Sequence, residues 1–214
     1  MGTVEPISPS VLLFRAHIIT YGLAADEELT ERIRKEIEEM WNAPQGKILF
    51  GLKPTLLQFS ITASWQPGLQ PEDILQNTNP LNNYFRIEEF VNGNISFVDA
   101  LGCNTGFFKK DNLYEGSTTA AHEFGHTLGL AHPSNLDLRS KGTPGIMYPR
   151  GTLVDPQFQY DPSVPAGQNG GTLHPMHRKV TKEDVAMLQI SNLNNQSVIG
   201  ALTNVWHDDH SPFA

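Results

Sequence analysis

The stretch that most constrains this chain is Thr118-Thr119-Ala120-Ala121-His122-Glu123-Phe124-Gly125-His126-Thr127-Leu128-Gly129-Leu130-Ala131-His132-Pro133. It reads as the heart of a helix from Ser117 to Leu130, on which His122 and His126 stand one turn apart on a single face. Both imidazoles can reach one ion from there. Glu123 is rotated out of a ligand position but still reaches a water at that ion. Gly129 is free to take positive φ and stop the helix, so that the chain turns back and brings in His132 as a third nitrogen. Three neutral imidazoles with one coordination position open suit a catalytic zinc rather than a closed structural one. The blander reading is a helix that merely carries histidines. It needs three of only 8 His in 214 residues to fall at this spacing, with the Glu and the Gly in place as well.

Composition removes other classes. The 15 basic residues against 23 acidic ones give a net charge of -8, which lacks the electrostatic footprint of a nucleic-acid binder. No apolar run approaches the ~18 residues of a membrane-spanning helix. The single cysteine, Cys103, excludes an intramolecular disulfide and a Cys-rich zinc module, and a buried, inert thiol is its expected role. A chain of 214 residues, 39% of them hydrophobic, is long enough to build a core without disulfides and reads as one domain over residues 1–214. Met1 to Pro6 lacks the basic-then-apolar layout of a signal peptide.

Periodicity then predicts the elements. Val11 to Tyr21 reads as a buried first strand. Ala25 to Trp41 reads as a helix with Leu29, Ile33, Ile37, Met40 and Trp41 on one face, stopped by Ala43-Pro44. Thr55 to Trp65 is a second strand, and Pro67 to Asn83 a loop with a short helical turn after Pro71. Tyr84 to Val91 and Ile95 to Val98 flank Asn92-Gly93 as a hairpin, with strand character again near Phe107-Phe108. Tyr148 to Gly171 is a long loop. Thr181 opens a last helix with Asp184 in a variant capping box, and Val185, Leu188 and Ile190 face its core. Val198 to Ala214 is a tail with no assigned structure.

The motif from His122 to His132 resembles that of the metzincin clan of zinc metallopeptidases. Gly145-Ile146-Met147-Tyr148-Pro149 is similar to the clan's Met-turn, whose methionine underlies the metal. Ala120-Ala121, Met147-Tyr148-Pro149 and the closing segment Thr181 to Gln189 most resemble matrixins, the matrix-metalloproteinase-like catalytic domains. Pro133 departs from them, as it does in serralysins. Pro149 stands where serralysins and astacins carry a tyrosine ligand, so no fifth ligand is expected.

The resemblance implies an α+β fold with an α/β-type upper subdomain at about 10–132, a lower subdomain at about 133–195 and a tail at 196–214. It further implies a twisted, mostly parallel sheet with an antiparallel edge strand, an active-site helix, the Met-turn and a C-terminal helix. The implied activity is zinc-dependent endopeptidase, with His122, His126 and His132 holding one zinc and Glu123 as general base. Gly129 and Met147 support the site from below, Met147 as an apolar platform that does not bind the ion. The matrixin zinc-and-calcium loop has no counterpart, so structural calcium is not expected. A peptide or protein substrate would lie extended along an edge strand within Ile95 to Phe108, and Pro149 to His174 would wall a specificity pocket. A secreted or extracellular monomer is implied, with a cytoplasmic one left open.

Two rivals stand beside this reading. One is a zinc-retaining binding protein on the same scaffold, which loss of Glu123 or of a ligand would have signalled. The other is an amidase acting on a non-peptide substrate. Among weaker signals, His17 reads as packed or at the surface, and His174 and His177 as loop residues. His207-Asp208-Asp209-His210 reads as a solvated surface segment. Asn94-Ile95-Ser96 and Asn195-Gln196-Ser197 are glycosylation sequons.

Overall fold

The computed structural model describes residues 1–210. In chain order its elements are β1 (Gly2–Ser8), β2 (Val11–Tyr21), α1 (Glu27–Asn42), β3 (Lys47–Phe50), β4 (Lys53–Trp65), α2 (Pro71–Leu75) and β5 (Asn82–Glu88). Then come β6 (Phe97–Val98), β7 (Thr105–Lys109), α3 (Thr119–Thr127), α4 (Lys182–Ala186), β8 (Ser191–Leu193) and β9 (Gln196–Ile199). The fold is α+β.

The sheet is arranged around β2. Alternation sends Leu12, Phe14, Ala16 and Ile18 into the main core, while Ile19 and Tyr21 join a second cluster with Ile74 and Tyr84. One edge of β2 pairs in parallel with β4 over nearly its whole length. The other edge is divided: Val11 to Arg15 pair antiparallel with β1, and His17 to Tyr21 pair in parallel with β5. The sheet therefore forks. One arm runs from β5 to β7 in parallel and on to β6 antiparallel; the other runs from β1 to β9 to β8, antiparallel throughout. Asn83 sits in the fork, its amide donating to the carbonyls of Met1 at 2.8 Å and Leu81 at 2.9 Å.

The expected mostly parallel sheet with an antiparallel edge strand is met only in part. Parallel pairing is confined to β4-β2-β5-β7, and antiparallel strands flank it on every side.

α1 lies across this sheet with Leu29, Ile33, Ile37 and Trp41 buried and Met40 partly so. Asp26 starts it by accepting from the Leu29 N–H at 2.7 Å. The helix also covers an exposed strand edge, because β3 pairs only with Lys53 to Leu56 of β4. Beyond that, Asn42 bonds both the N–H and the C=O of Phe59, and Glu38 accepts from the Ile61 N–H at 2.7 Å. Side chains of the helix thus take the place of a missing strand.

The expected hairpin about Asn92-Gly93 does not form. β5 already has β2 on one edge and β7 on the other, so no edge is left for a hairpin partner. Asn92–Asn94 instead forms a 3₁₀ turn, and β6 pairs with β7. The tail is also corrected in part: Gln196–Ile199 is a strand on β1, and Trp206 stacks on Tyr21 at 5.2 Å between centroids. Residues 211–214 of that tail lie outside the described residues. No helix among the described residues is long and apolar enough to cross a membrane.

Candidate metal centre

α3 carries the motif, and the two ends of this helix are secured differently. At the N-terminus, Thr118 takes a left-handed conformation (φ 57°) and makes no capping bond. Its hydroxyl donates instead to the Pro175 carbonyl at 2.8 Å and accepts from Arg178 Nε at 2.9 Å. The free N–H groups of the first turn are met from elsewhere. Ser117 Oγ accepts from Thr119, and Glu36 of α1 accepts from Ala121 at 3.1 Å. At the C-terminus, Gly129 (φ 91°) ends the helix as predicted. Leu130 N–H donates to Gly125 and Gly129 N–H to His126, the pair of bonds of a Schellman cap.

The turn that follows brings His132 over the helix. His122 Nε2 and His126 Nε2 each lie 3.1 Å from His132 Nε2. Among the described residues this is the single group of three or more His, Cys, Asp or Glu side chains placed to hold a metal ion, with ligand atoms within 4.8 Å of one another. The other ring nitrogens are committed: His122 Nδ1 donates to the Ile146 carbonyl at 2.6 Å and His126 Nδ1 to the Leu130 carbonyl at 2.7 Å. These partners fix the tautomer and turn both Nε2 lone pairs inward.

Two inward lone pairs therefore face a third nitrogen that can donate at most one proton. At least one buried acceptor is left unmet unless a cation sits among them. An ion bound tetrahedrally at ~2.0–2.1 Å would set its nitrogens about 3.3 Å apart, close to the spacing seen. The residues fit a metal ion. Burial also keeps the imidazoles in the neutral form a metal requires, holding His122 well below the ordinary histidine value and His126 down to about 4. His132 is lowered for the same reason, although its ring opens toward solvent.

Met147 is 1% exposed and packs against Gly125 so closely that a Cβ there would lie 2.3 Å from its sulfur. It thus lies against the helix that carries His122 and His126, and its neighbour Ile146 accepts from the His122 ring. Gly125 itself was not singled out in the sequence. The signal was a glycine inside a helix, a choice that costs about 1 kcal/mol against alanine and so asks for a packing reason.

Glu123 faces a cavity of about 290 Å³ together with His122, His132 and Thr119. Burial pushes its carboxyl up to about 8, against the opposing pull of Arg178 and Arg150. A cation at the three nitrogens would pull further toward the carboxylate. A second cavity, of about 970 Å³, lies on the far side of His132 and reaches Met147 and α4.

Arg178 went unnoticed in the sequence. It is 4% exposed, and besides Thr118 it donates to the Tyr148 carbonyl at 3.3 Å and the Ser117 carbonyl at 3.5 Å. One buried guanidinium thus joins the start of α3 to the turn that carries Met147. Its neighbours in the chain, His177 and Lys179, gave no hint of that burial.

The remaining candidates lie apart from this centre. His17 bonds Thr62 and Ser64 on β4. His174 accepts from the Met176 N–H and packs on Tyr160. Cys103 is a buried free thiol. The segment from His207 to His210 stays at the surface, with Asp208 exposed, but its histidines are half-buried. His210 stacks on Phe107 at 4.2 Å, and His207 Nε2 lies 2.8 Å from Asp99, though without the alignment of a hydrogen bond. No protein-family model matches the chain, and no curated protein matches it.

Proposed function

We propose that the chain is a zinc-dependent endopeptidase with the fold and reaction of the metzincins. The observation that carries this reading is the convergence of three imidazole Nε2 atoms beside a buried carboxylate on the same helix. The Schellman cap at Gly129 and the seat of Met147 against Gly125 support the metzincin assignment, since they set the third ligand and the floor.

Zinc, when bound by His122, His126 and His132, supplies a Lewis acid that acidifies water and polarises a carbonyl. The protein does the rest. Ile146 and Leu130 hold two of the imidazoles in the ligand tautomer. Glu123 takes the proton of the attacking water and passes it to the leaving amine. β6 ends its arm of the sheet and packs against α3, so its outer edge offers backbone groups to an extended peptide beside the metal.

Metal analysis and peptide cleavage test this together. About one zinc per chain and cleavage inside a peptide are expected. Glu123→Ala is expected to keep zinc and lower kcat by ~10²–10⁴-fold, the usual cost of losing acid–base catalysis. Near-normal turnover in that variant, or absence of zinc from active protein, would overturn the reading.

A further inference from the structure

The smaller cavity beside Glu123 has a chemical bias that the hydrolase reading does not by itself require. Arg150 and Arg178 both line it, and Glu123 is the only carboxylate among its lining residues described. The chain as a whole carries a net charge of -8, so two arginines gathered here run against its average. Arg150 is held in place by donating from Nη2 to Asn112 Oδ1 at 3.0 Å. Arg178 has five N–H groups, of which three are engaged with Thr118, Tyr148 and Ser117. The other two make no hydrogen bond among the described residues, although Glu123 and Glu36 attract the group. Thr119 adds a buried hydroxyl on the same wall that is also without a hydrogen-bond partner there. The wall thus holds more donors than its own acceptors take up, with Glu123 the one carboxylate beside them.

We infer that this cavity takes a carboxylate of the peptide, either an Asp or Glu side chain next to the scissile bond or a free C-terminus. The inference builds on the proposed peptidase function and names its substrate class. Guanidinium groups pair with carboxylates in a planar, two-pronged geometry, and partial burial strengthens the pairing. The volume of about 290 Å³ is ample for a short acidic side chain, given that a water occupies ~30 Å³. The larger cavity across His132 has no such bias, since Glu183 and Asp184 stand there against Lys141.

The test is binding to zinc-loaded Glu123→Gln protein, measured with otherwise neutral octapeptides. Glu or Gln is placed at each position in turn, with the C-terminus free or amidated. The Glu peptide is expected to bind about tenfold more tightly than its Gln twin at one position, as a charge-assisted pair should, and to lose the advantage with added salt. Arg150→Gln is expected to shrink that preference several-fold. A preference that follows the free terminus instead assigns the cavity to the C-terminal carboxylate. Equal binding of acid and amide peptides at every position, with either terminus, overturns the inference. So does a preference that both Arg150→Gln and Arg178→Lys leave intact in folded protein. Cleavage by the unsubstituted chain separates the two levels. Peptides cut without acid preference remove this inference alone, and acid-selective binding with no cleavage removes the peptidase reading alone.

Discussion

At its C-terminal end α3 is closed mainly by its own neighbours: Gly129 turns the chain, Leu130 and Gly129 donate back to Gly125 and His126, and Leu130 returns a carbonyl to the His126 ring. At its N-terminal end nothing local suffices. Glu36 arrives from α1, Arg178 from beyond the long loop, and the His122 ring is steadied by Ile146, 24 residues away in sequence. Two candidate ligands on one helix are thus held by different balances of support: His126 mainly by adjacent chain, with one distant bond from the Gly102 N–H to its carbonyl at 2.7 Å, and the His122 ring by the assembled fold alone. Damage to the fold should therefore reach His122 before His126.

The largest effect expected from breaking this comparison is on the proposed ligands themselves. His126→Ala and His122→Ala should both reduce zinc from about one equivalent to near zero, beyond the ~10–100-fold affinity loss typical of an outer partner. Hydrogen exchange should then separate them. His122→Ala is expected to speed exchange in the Gly145–Pro149 segment, while His126→Ala leaves that segment protected. Equal effects on that segment would remove the asymmetry.

Next in size is the helix floor. Gly125→Ala would drive a methyl into the Met147 sulfur and is expected to cost about 1–3 kcal/mol in urea unfolding, less about 1 kcal/mol regained in helix propensity. It should weaken zinc binding too, because Met147 must move. Gly129→Ala meets no neighbouring atom, and its cost comes only from the left-handed backbone at φ 91°, about 1–2 kcal/mol. Zinc binding rather than stability separates the two: a larger loss of zinc affinity at Gly129 than at Gly125 would show that the cap, not the floor, governs the centre.

The smallest effect lies at the far end. Burial raises the Glu36 carboxyl, with the Ala121 N–H and Arg178 opposing. A carboxyl whose folded pKa lies above its unfolded one favours the folded state when protonated. Metal-free protein should therefore lose stability as pH rises from the unfolded value through the raised one. Glu36→Gln is expected to flatten that slope and to cost about 1 kcal/mol at low pH, where one acceptor is exchanged for another. Parallel slopes in the two proteins would place the pH dependence elsewhere, for instance at Asp184, which is also raised by burial.

The same asymmetry explains what the sequence disclosed. The C-terminal half of the site was legible because its devices are local: helical spacing for His122 and His126, a stop at Gly129, a return at His132. Val11–Tyr21 was legible as a strand for a related reason, being apolar enough to be buried on either side. Glu36 was not legible, since it lies in a charged helix where most acidic residues face water. Its burial depends on α3 packing there. The Asn92-Gly93 signal misled because turn propensity says nothing of whether the preceding strand has an edge to spare. β8 and β9 escaped notice although Asn194 and Asn195, both at positive φ, join them as a tight hairpin.

The fork in the sheet also bears on the order in which the molecule can assemble. Gly2 pairs with Ile199 and Thr3 with Val198, so the β1-β9-β8 arm closes a loop spanning almost the entire described chain. The β4-β2-β5 centre closes far shorter ones. Loop-closure entropy rises with length, and distant pairings form slowly. The arm that packs on α3 can therefore gather while the other still waits for the last strand. Pulse-labelled amides during refolding should show β2, β4 and β5 protected before Val198 and Ile199; simultaneous protection would mean that the two arms form as one cooperative unit.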